Sequence, residues 1–531
     1  MKQIQINLGD ASVLVDAVFA EIKDDCILGL DFLLKSGLLK DFKSTVNQKF
    51  NIDKGRSVLS VKQVSTLPTS DLPDYLETLF VSACFLVKEA EKSLVKQFFL
   101  DFHTCFSSGS NDLGRYGKIK HKIVLTDKEP IKQQPRRIPF HYRDEVFNLL
   151  EDMKSQKVIE PSEGPWASPV VLIRKKDNSL RFCVEYRRLN SVKKKDSMPL
   201  PRNDDIFDSS SRPQRFSTID LKSGYWQIEL EPEDKKTAFC IGDELWQFKI
   251  LPFELCNAPA TFVRVMNTVL RGLIGNVCQV YLDEIIVFGS DFNDHLKNLR
   301  LFFSRLSQAN LKVNTKKCVL FKSQVLFLGH IISKDGIKCA PEKTESIRSW
   351  PIPQSREDIK SFLGLCSYYR KFIKNFSSYA QPLYRLTNNQ IPFVWTEQCQ
   401  KSFDLLKNLL TSPPVLSLPI PDGEFILDTD ASLTGIGATL SQIQSGQERP
   451  IAFFSRCLNK TEQNHCVTRR ELLAVVRAVE HFNHYLLGRK FLIRTDHTAL
   501  NWLLSFKNSE GIVARWIVIL FRFDFQIAHR P

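Results

Sequence analysis

The 531-residue chain has no apolar run near the roughly twenty residues that a membrane span needs. Its best candidate, Ile512 to Phe521, is broken by Arg515 and followed by Arg522. The opening residues, M-K-Q-I-Q-I-N-L-G-D, lack the apolar core of a signal peptide, so neither secretion nor a membrane is expected. The 13 cysteines never fall into C-x-x-C pairs, which argues against a zinc module or a disulfide framework and for a reducing compartment. No unit recurs at a fixed period, so a solenoid is excluded. Acids are outnumbered: 59 Asp and Glu against 73 Lys and Arg leave a net charge of +14.

The basic excess comes in clusters: Arg136–Arg137, Arg174 to Lys176, Arg187–Arg188, Lys193 to Lys195, Lys316–Lys317, Arg370–Lys371 and Arg469–Arg470. Any one of these is ordinary solvated surface. Together they match a phosphate backbone, the commonest polyanion a protein meets. The length is enough for three or four domains at ~100–200 residues each.

Three segments share a strand-then-acid pattern: F-S-T-I-D (216–220), V-Y-L-D-E-I-I-V-F (280–288) and E-F-I-L-D-T-D (424–430). A lone acidic pair at a hairpin tip is ordinarily turn chemistry. Strands that bring Asp220, Asp283 and Glu284 to one place would instead suit two-metal phosphoryl transfer, whose ions stand about 3.5–4 Å apart. The third segment suggests a second, separate carboxylate centre.

Around these centres the pattern is mixed. Residues 1–38 are strand-like, and 39–92 read as a polar, poorly packed linker. Ser93 to Phe106 and Arg143 to Gln156 have helical spacing, with Val146, Leu149, Leu150 and Met153 on one face of the second. Strands are expected at 169–174, 181–185 and 246–250, and a helix at 258–270. Ser355-Arg-Glu-Asp358 is a capping-box signature that opens a helix with Ile359, Phe362, Leu363, Cys366 and Tyr369 on one face. Prolines at 413, 414, 419 and 421 mark a boundary. Beyond it, strands are expected at 424–430, 435–441, 450–454 and 490–494, with helices at 468–487 and 498–504.

Five blocks carry a resemblance: P-W-A-S-P-V-V-L-I-R-K-K-D-N-S-L-R-F-C-V-E-Y-R-R-L-N (165–190), F-S-T-I-D-L-K-S-G-Y-W-Q-I (216–228), L-P-F-E-L-C-N-A-P-A-T-F (251–262), Y-L-D-E-I-I-V-F (281–288) and F-L-G-H-I-I-S-K-D-G-I (327–337). In order and spacing they resemble the reverse transcriptase of the Pol polyprotein of gypsy-type LTR retrotransposons. D-T-D-A-S (428–432), R-R-E-L-L-A-V-V (469–476) and R-T-D-H-T-A-L-N-W-L (494–503) resemble its RNase H domain. The resemblance runs from about residue 93 onward.

It implies a multidomain α/β and α+β fold: a right-hand polymerase of fingers, palm and thumb, followed by an RNase H-like mixed sheet with helices. The implied boundaries are 1–38 for a retropepsin remnant, 39–110 for a linker and lead-in helix, and 111–338 for fingers and palm. Residues 339–415 would be thumb or connection, and 416–531 the RNase H-like domain. The implied function is RNA-directed DNA polymerase, a nucleotidyltransferase, joined to a hybrid-cutting endonuclease.

The family's roles fall on matching positions. Asp220, Asp283 and Glu284 would be catalytic metal ligands. Tyr225 would be the aromatic gate that clashes with a ribose 2′-hydroxyl; a half-buried palm aromatic is the plainer alternative. Lys175 and Arg181 would grip the triphosphate, while Phe253 and Asn257 would lie beside the nucleotide. Leu328-Gly329-His330 would hold the primer, although His330 alone would read as a surface histidine. In the second centre Asp430, Glu471 and Asp496 would hold metal, with Asp428 a weaker candidate. Glu471 has a structural rival role, as the last residue of a Thr468-x-x-Glu471 capping box.

Mg²⁺ is the implied cofactor, with Mn²⁺ as a substitute. The implied partners are an RNA or DNA template-primer, an RNA–DNA hybrid, deoxynucleoside triphosphates and, as a homodimer, a second copy of the chain. The implied location is a cytoplasmic virus-like particle or the nucleus.

Three departures bear on activity. Glu284 stands where the family has a second aspartate, and Glu254 where it has glycine. Glutamate is one methylene longer than aspartate, and metal sites need placement to about 0.5 Å. The fourth RNase H acid of the family has no counterpart before Pro531. A copy with reduced or lost activity is therefore expected, and its alternative function is nucleic-acid binding without catalysis. An RNA-dependent RNA polymerase is disfavoured by Tyr225 and the attached RNase H pattern. D-D-C-I-L-G-L-D-F-L (24–33) resembles the closing part of a retropepsin without its nucleophilic half, so no protease activity is expected. No integrase-like segment is expected either.

Overall fold

The computed structural model describes residues 2–8, 11–17, 72–85, 87–109, 111–127, 129–174, 180–202, 206–207, 213–412, 414–496 and 511–529. The chain divides into two compact units, Met1–Ser70 and Asp71–Pro531. In the first, Lys2–Leu8 pairs antiparallel with Ala11–Ala17. The retropepsin-like 24–33, the candidate Lys175 and the expected helix at 498–504 lie outside the described residues.

The second unit opens with helices α1 (Asp74–Cys84) and α2 (Glu89–Phe102). The sequence suggested a loosely packed linker for α1. Instead Leu76, Leu79, Phe80 and Ala83 are buried, and Phe80 meets the ring of Phe99 edge-on at 5.8 Å. The polar composition is that of the longer 39–92 segment, within which one short apolar stripe is enough to dock a helix.

A five-stranded sheet follows, in the order Ile159–Pro161, Glu244–Phe248, Phe239–Ile241, Ser168–Arg174, Leu180–Val184. Beside it lies a four-stranded sheet built from β1 (Arg215–Asp220), β2 (Cys278–Tyr281), β3 (Glu284–Gly289) and β4 (Val319–Lys322), in the order β2-β3-β1-β4. Two helices pack here: α3 (Ala258–Val269), with Pro in its first turn, and α4 (Phe292–Gln308). In α4 the apolar residues Leu296, Leu299, Phe302, Phe303 and Leu306 recur at helical spacing and are all buried.

A three-stranded meander, β5 (Gln324–Phe327), β6 (His330–Ser333) and β7 (Gly336–Cys339), leads to helices α5 (Arg356–Tyr368), α6 (Phe376–Leu386) and α7 (Glu397–Thr411). The predicted capping box forms: Ser355 Oγ accepts from the Asp358 amide at 3.2 Å, and Asp358 accepts from the Ser355 amide at 2.9 Å. One continuous core joins Phe216 and Ile286 of the four-stranded sheet to Ile359, Phe362 and Leu363 of α5.

The last sheet contains β8 (Phe425–Ala431), β9 (Gly435–Gln444), β10 (Gln447–Cys457), β11 (Lys490–Thr495) and β12 (Asp524–His529), in the order β10-β9-β8-β11-β12. β8 and β9 are antiparallel, whereas β11 runs parallel to both β8 and β12. Helices α8 (Val467–His481) and α9 (Gly511–Leu520) cover one face. Among the described residues no helix is long and apolar enough to cross a membrane.

Two carboxylate centres

β1 ends at Asp220, whose cross-strand partner on β3 is Glu284. The two-residue turn between β2 and β3 holds Leu282 and Asp283, with Leu282 at φ +52°. A left-handed leucine is strained, and the strain persists because paired strands fix both sides of the turn. Asp220 and Asp283 thereby line one cleft together with Arg181, Tyr225, Phe253, Asn314 and Lys317. At about 460 Å³ the cleft is in the range of small-ligand sites.

Burial pushes the Asp220 carboxyl above the usual aspartate range and nearby Asp283 adds to this, while Lys317 pulls the other way. Lys317 Nζ lies 3.1 Å from Asp220 Oδ2. Tyr225 sits edge-on to Phe253 at 5.5 Å and to Phe262 at 5.3 Å. Its hydroxyl is pushed up to about 12, chiefly by burial and then by Asp283. Tyr225 therefore stays protonated and neutral at any ordinary pH.

The remaining expected residues lie elsewhere. Glu284 does not line the cleft; its Oε2 accepts from the Leu328 amide at 3.3 Å. Asn257 braces a neighbouring loop, accepting from the Asp196 amide at 3.2 Å and donating to the Lys194 carbonyl at 2.9 Å. Gly329 forms the β5–β6 turn with Leu328, at φ +70° and +47°, the two positive values that a primed two-residue hairpin needs. Its carbonyl accepts from the Tyr369 hydroxyl at 2.8 Å. His330 is not a surface residue: it is 2% exposed and packed among Phe207, Tyr368, Tyr369 and Phe372. Glu254 has φ +71°, a left-handed backbone that suits glycine.

In the second centre Asp430 on β8 and Asp496 just after β11 share a cleft with Lys374, Asn375, Asp428 and Arg494. Glu471 approaches from α8. The helix starts at Val467 with Cys466 as its N-cap and no side-chain cap bond, so the capping-box role is not realised. Glu471 is only 3% exposed, and its Oε2 has no hydrogen-bond partner. Burial, then Asp496 and Asp430, push its carboxyl up to about 7. Asp428 is occupied: Arg494 Nε and Nη2 donate to its two oxygens at 2.6 and 2.7 Å.

As candidate metal ligands the acids divide unevenly. Among the described residues no three His, Cys, Asp or Glu side chains converge as a ready-made metal cage. An orphaned buried carboxylate oxygen crowded by two acids nevertheless fits a cation. So does the Asp220–Asp283 pair, where an ammonium group already contacts one member. Of Glu284, the partner of Asp220 across the strands, one oxygen is already engaged by the Leu328 amide.

Sequence reasoning missed Lys317, Asn314 and Arg494. Lys316–Lys317 was visible as a basic pair, but nothing in residue order tied it to an acid so far upstream. The link is made by pairing: the Asn314 amide donates to the Asp220 carbonyl at 2.8 Å, and the Lys222 amide to the Lys312 carbonyl at 3.0 Å.

Comparison with known proteins agrees with this layout. Residues 173–332 match the family model of reverse transcriptase (RNA-dependent DNA polymerase), and 395–493 match that of the RNase H-like domain found in reverse transcriptase. The chain is 40% identical over 417 residues to the retrovirus-related Pol polyprotein from transposon 297 of Drosophila melanogaster, covering 77% of this chain and 39% of that protein. Against the Pol polyprotein from transposon opus it is 34% identical, covering 94% and 51%. Against that from transposon gypsy it is 32% identical, covering 96% and 49%. The chain thus spans about half or less of the length of these relatives. In fold it is similar to the foamy viral protease-reverse transcriptase solved with double-stranded DNA, with a TM-score of 0.78 at 22% identity, covering 88% of this chain and 98% of that one. The complex of that viral protein with an RNA/DNA hybrid gives 0.72 at 22% identity, covering 92% and 65%. The chain thus holds a reverse transcriptase match followed by an RNase H-like match, and over most of its length it is similar to the Pol polyproteins of gypsy-type retrotransposons.

Proposed function

We propose that this chain is an RNA-directed DNA polymerase with an attached RNase H activity, acting on a template-primer duplex and deoxynucleoside triphosphates. The observation that carries it is the gathering of Asp220, Asp283, Tyr225, Phe253 and Arg181 around one cleft, from segments up to a hundred residues apart. The similarity to viral enzymes solved on duplex DNA and on RNA/DNA hybrid supports nucleic acid as the partner. Residues 111–338 would form fingers and palm, 339–415 the thumb or connection, and 416–531 the nuclease. A retrotransposon origin favours a cytoplasmic particle or the nucleus as its location.

In this reading Asp220 and Asp283 hold the divalent ions of the palm. When bound, Mg²⁺ or Mn²⁺ supplies the positive charge that activates the primer 3′-hydroxyl and steadies departing pyrophosphate. Arg181 and Lys175 neutralise the triphosphate. The Tyr225 ring, wedged between Phe253 and Phe262, blocks a 2′-hydroxyl by its bulk. The Leu328–Gly329 turn supports the primer, and Asn257 holds the adjoining loop. In the second centre Asp430, Glu471 and Asp496 hold the ions used to cut the RNA strand. Glu471, protonated in part near neutrality, must give up its proton to do so.

A second reading has its own observation. Glu284 is engaged with the Leu328 amide and Glu254 sits in a backbone region made for glycine, which favours a nucleic-acid-binding protein that no longer polymerises. Primer extension by the purified chain decides between them. Incorporation with Mg²⁺ or Mn²⁺, abolished by Asp220→Asn, supports the polymerase. No incorporation by wild type, with rescue by Glu284→Asp plus Glu254→Gly, supports the binding protein. Exclusion of ribonucleotides, lost in Tyr225→Ala, tests the gate.

A further inference from the structure

The cleft of the second centre is not built from one domain. Lys374 and Asn375, from the segment between α5 and α6, line it opposite Asp430 and Asp496. Their position is fixed by several bonds to the edge of the last sheet. The Ser377 amide donates to Ser455 Oγ at 2.9 Å, Arg370 Nη2 to the Ser455 carbonyl at 3.2 Å, and Cys457 Sγ to the Ser377 carbonyl at 3.3 Å.

A gap in the sheet admits this segment. Gly437 is the register partner of Asp430 on β9, and a Cβ there would lie 2.5 Å from Asn375 Oδ1. Asn375 therefore occupies the space that any other residue at 437 would fill, next to the strand that presents Asp430.

The charges give this wall a purpose. The sheet side of the cleft is acidic, and its one arginine, Arg494, is held by Asp428 and also by Glu448 at 2.6 Å. Acids that hold cations suit one phosphate, but they repel its neighbours along the strand. Lys374 is exposed and forms no ion pair among the described residues. Behind the cleft, the buried Glu471 oxygen near Asp430 and Asp496 has no hydrogen-bond partner, a place where a ligand would complete the bonding.

We propose that Lys374 grips a backbone phosphate of the strand being cut, next to the scissile one, and that Asn375, seated over Gly437, positions it. The segment before α6 is then a substrate-binding wall of the nuclease as well as a link between domains. This rests on reading the second centre as a hybrid-cutting nuclease.

The test uses the full chain and an RNA–DNA hybrid long enough to span both clefts. Binding is measured by fluorescence anisotropy across a salt series, with Ca²⁺ in place of Mg²⁺. One lost phosphate contact should lower the slope of log affinity against log salt by about 0.9. That is expected for Lys374→Ala, more strongly for Lys374→Glu, and not for Lys374→Arg. In Mg²⁺, Lys374→Glu should raise the KM for hybrid cutting at least several-fold. Gly437→Ala, which displaces only the end of the Asn375 side chain, should raise the same KM. Slopes equal to wild type in both Lys374→Ala and Lys374→Glu would overturn the proposal, as would a failure of the chain to bind hybrid at all. If wild type binds but does not cut in Mg²⁺ or Mn²⁺, the nuclease reading fails alone, and the salt slopes still decide the phosphate contact.

Discussion

Lys317 Nζ stands 3.1 Å from Asp220 Oδ2, so the first acid of this cleft already has a cationic neighbour. A metal ion would have to share or displace that contact. Replacing Lys317 by Ala should strengthen Mn²⁺ binding at the palm. The gain is limited by the exposed lysine to about 1 kcal/mol, or roughly fivefold. Electron paramagnetic resonance titration in an Asp430→Asn background would read it. An unchanged affinity would mean that lysine and metal do not compete.

Glu254 offers a stability test without reference to catalysis. Its φ of +71° costs a non-glycine residue about 1–2 kcal/mol. Glu254→Gly should therefore raise the urea midpoint by an amount equivalent to about 1 kcal/mol. Glu254→Ala keeps a Cβ and should not. Equal gains in both variants would trace the effect to charge instead of backbone.

The length of Glu284 is used to reach the Leu328 amide. Shortening it to Asp should release that amide and speed its hydrogen exchange, whereas Glu284→Gln should keep it protected. Because a hydrogen bond to a charged group contributes about 1.5 kcal/mol or more, exchange should quicken roughly tenfold. No change in the aspartate variant would show that the contact carries little weight.

Glu471 predicts a pH dependence. Its folded carboxyl is pushed up to about 7 from the 4.5 usual for a glutamate. An acid raised in this way favours the folded chain below pH ~4.5, and that advantage is lost as the pH climbs towards 7. In a chelator, Glu471→Gln should match wild type near pH 5 and melt a few degrees higher at pH 8. Thermal unfolding at a series of pH values would check this. A gain that is constant with pH would remove titration as its cause.

Much of this protein was legible in residue order. Apolar runs ending in Asp220, Asp283 and Asp430, the Ser355 capping signature and the apolar stripe of α5 that follows it are local facts, set by periods of 2 and 3.6 residues. Local pattern placed strand ends and helix starts within a few residues. It failed where a long polar segment hid a docked helix, as in α1, because a composition averaged over many residues does not show one short apolar stripe.

Residue order alone determined which acids could form two centres, and where glutamate stands in place of aspartate or glycine. Only the tertiary structure decided which acids meet and what else meets them. Glu284 is drawn to a backbone amide, Asp428 to Arg494, while Lys317 and Lys374 enter clefts from distant segments. The reason is physical: a side chain's direction and partners follow from strand register and domain docking. These are fixed by long-range burial and pairing, and no window of sequence contains them.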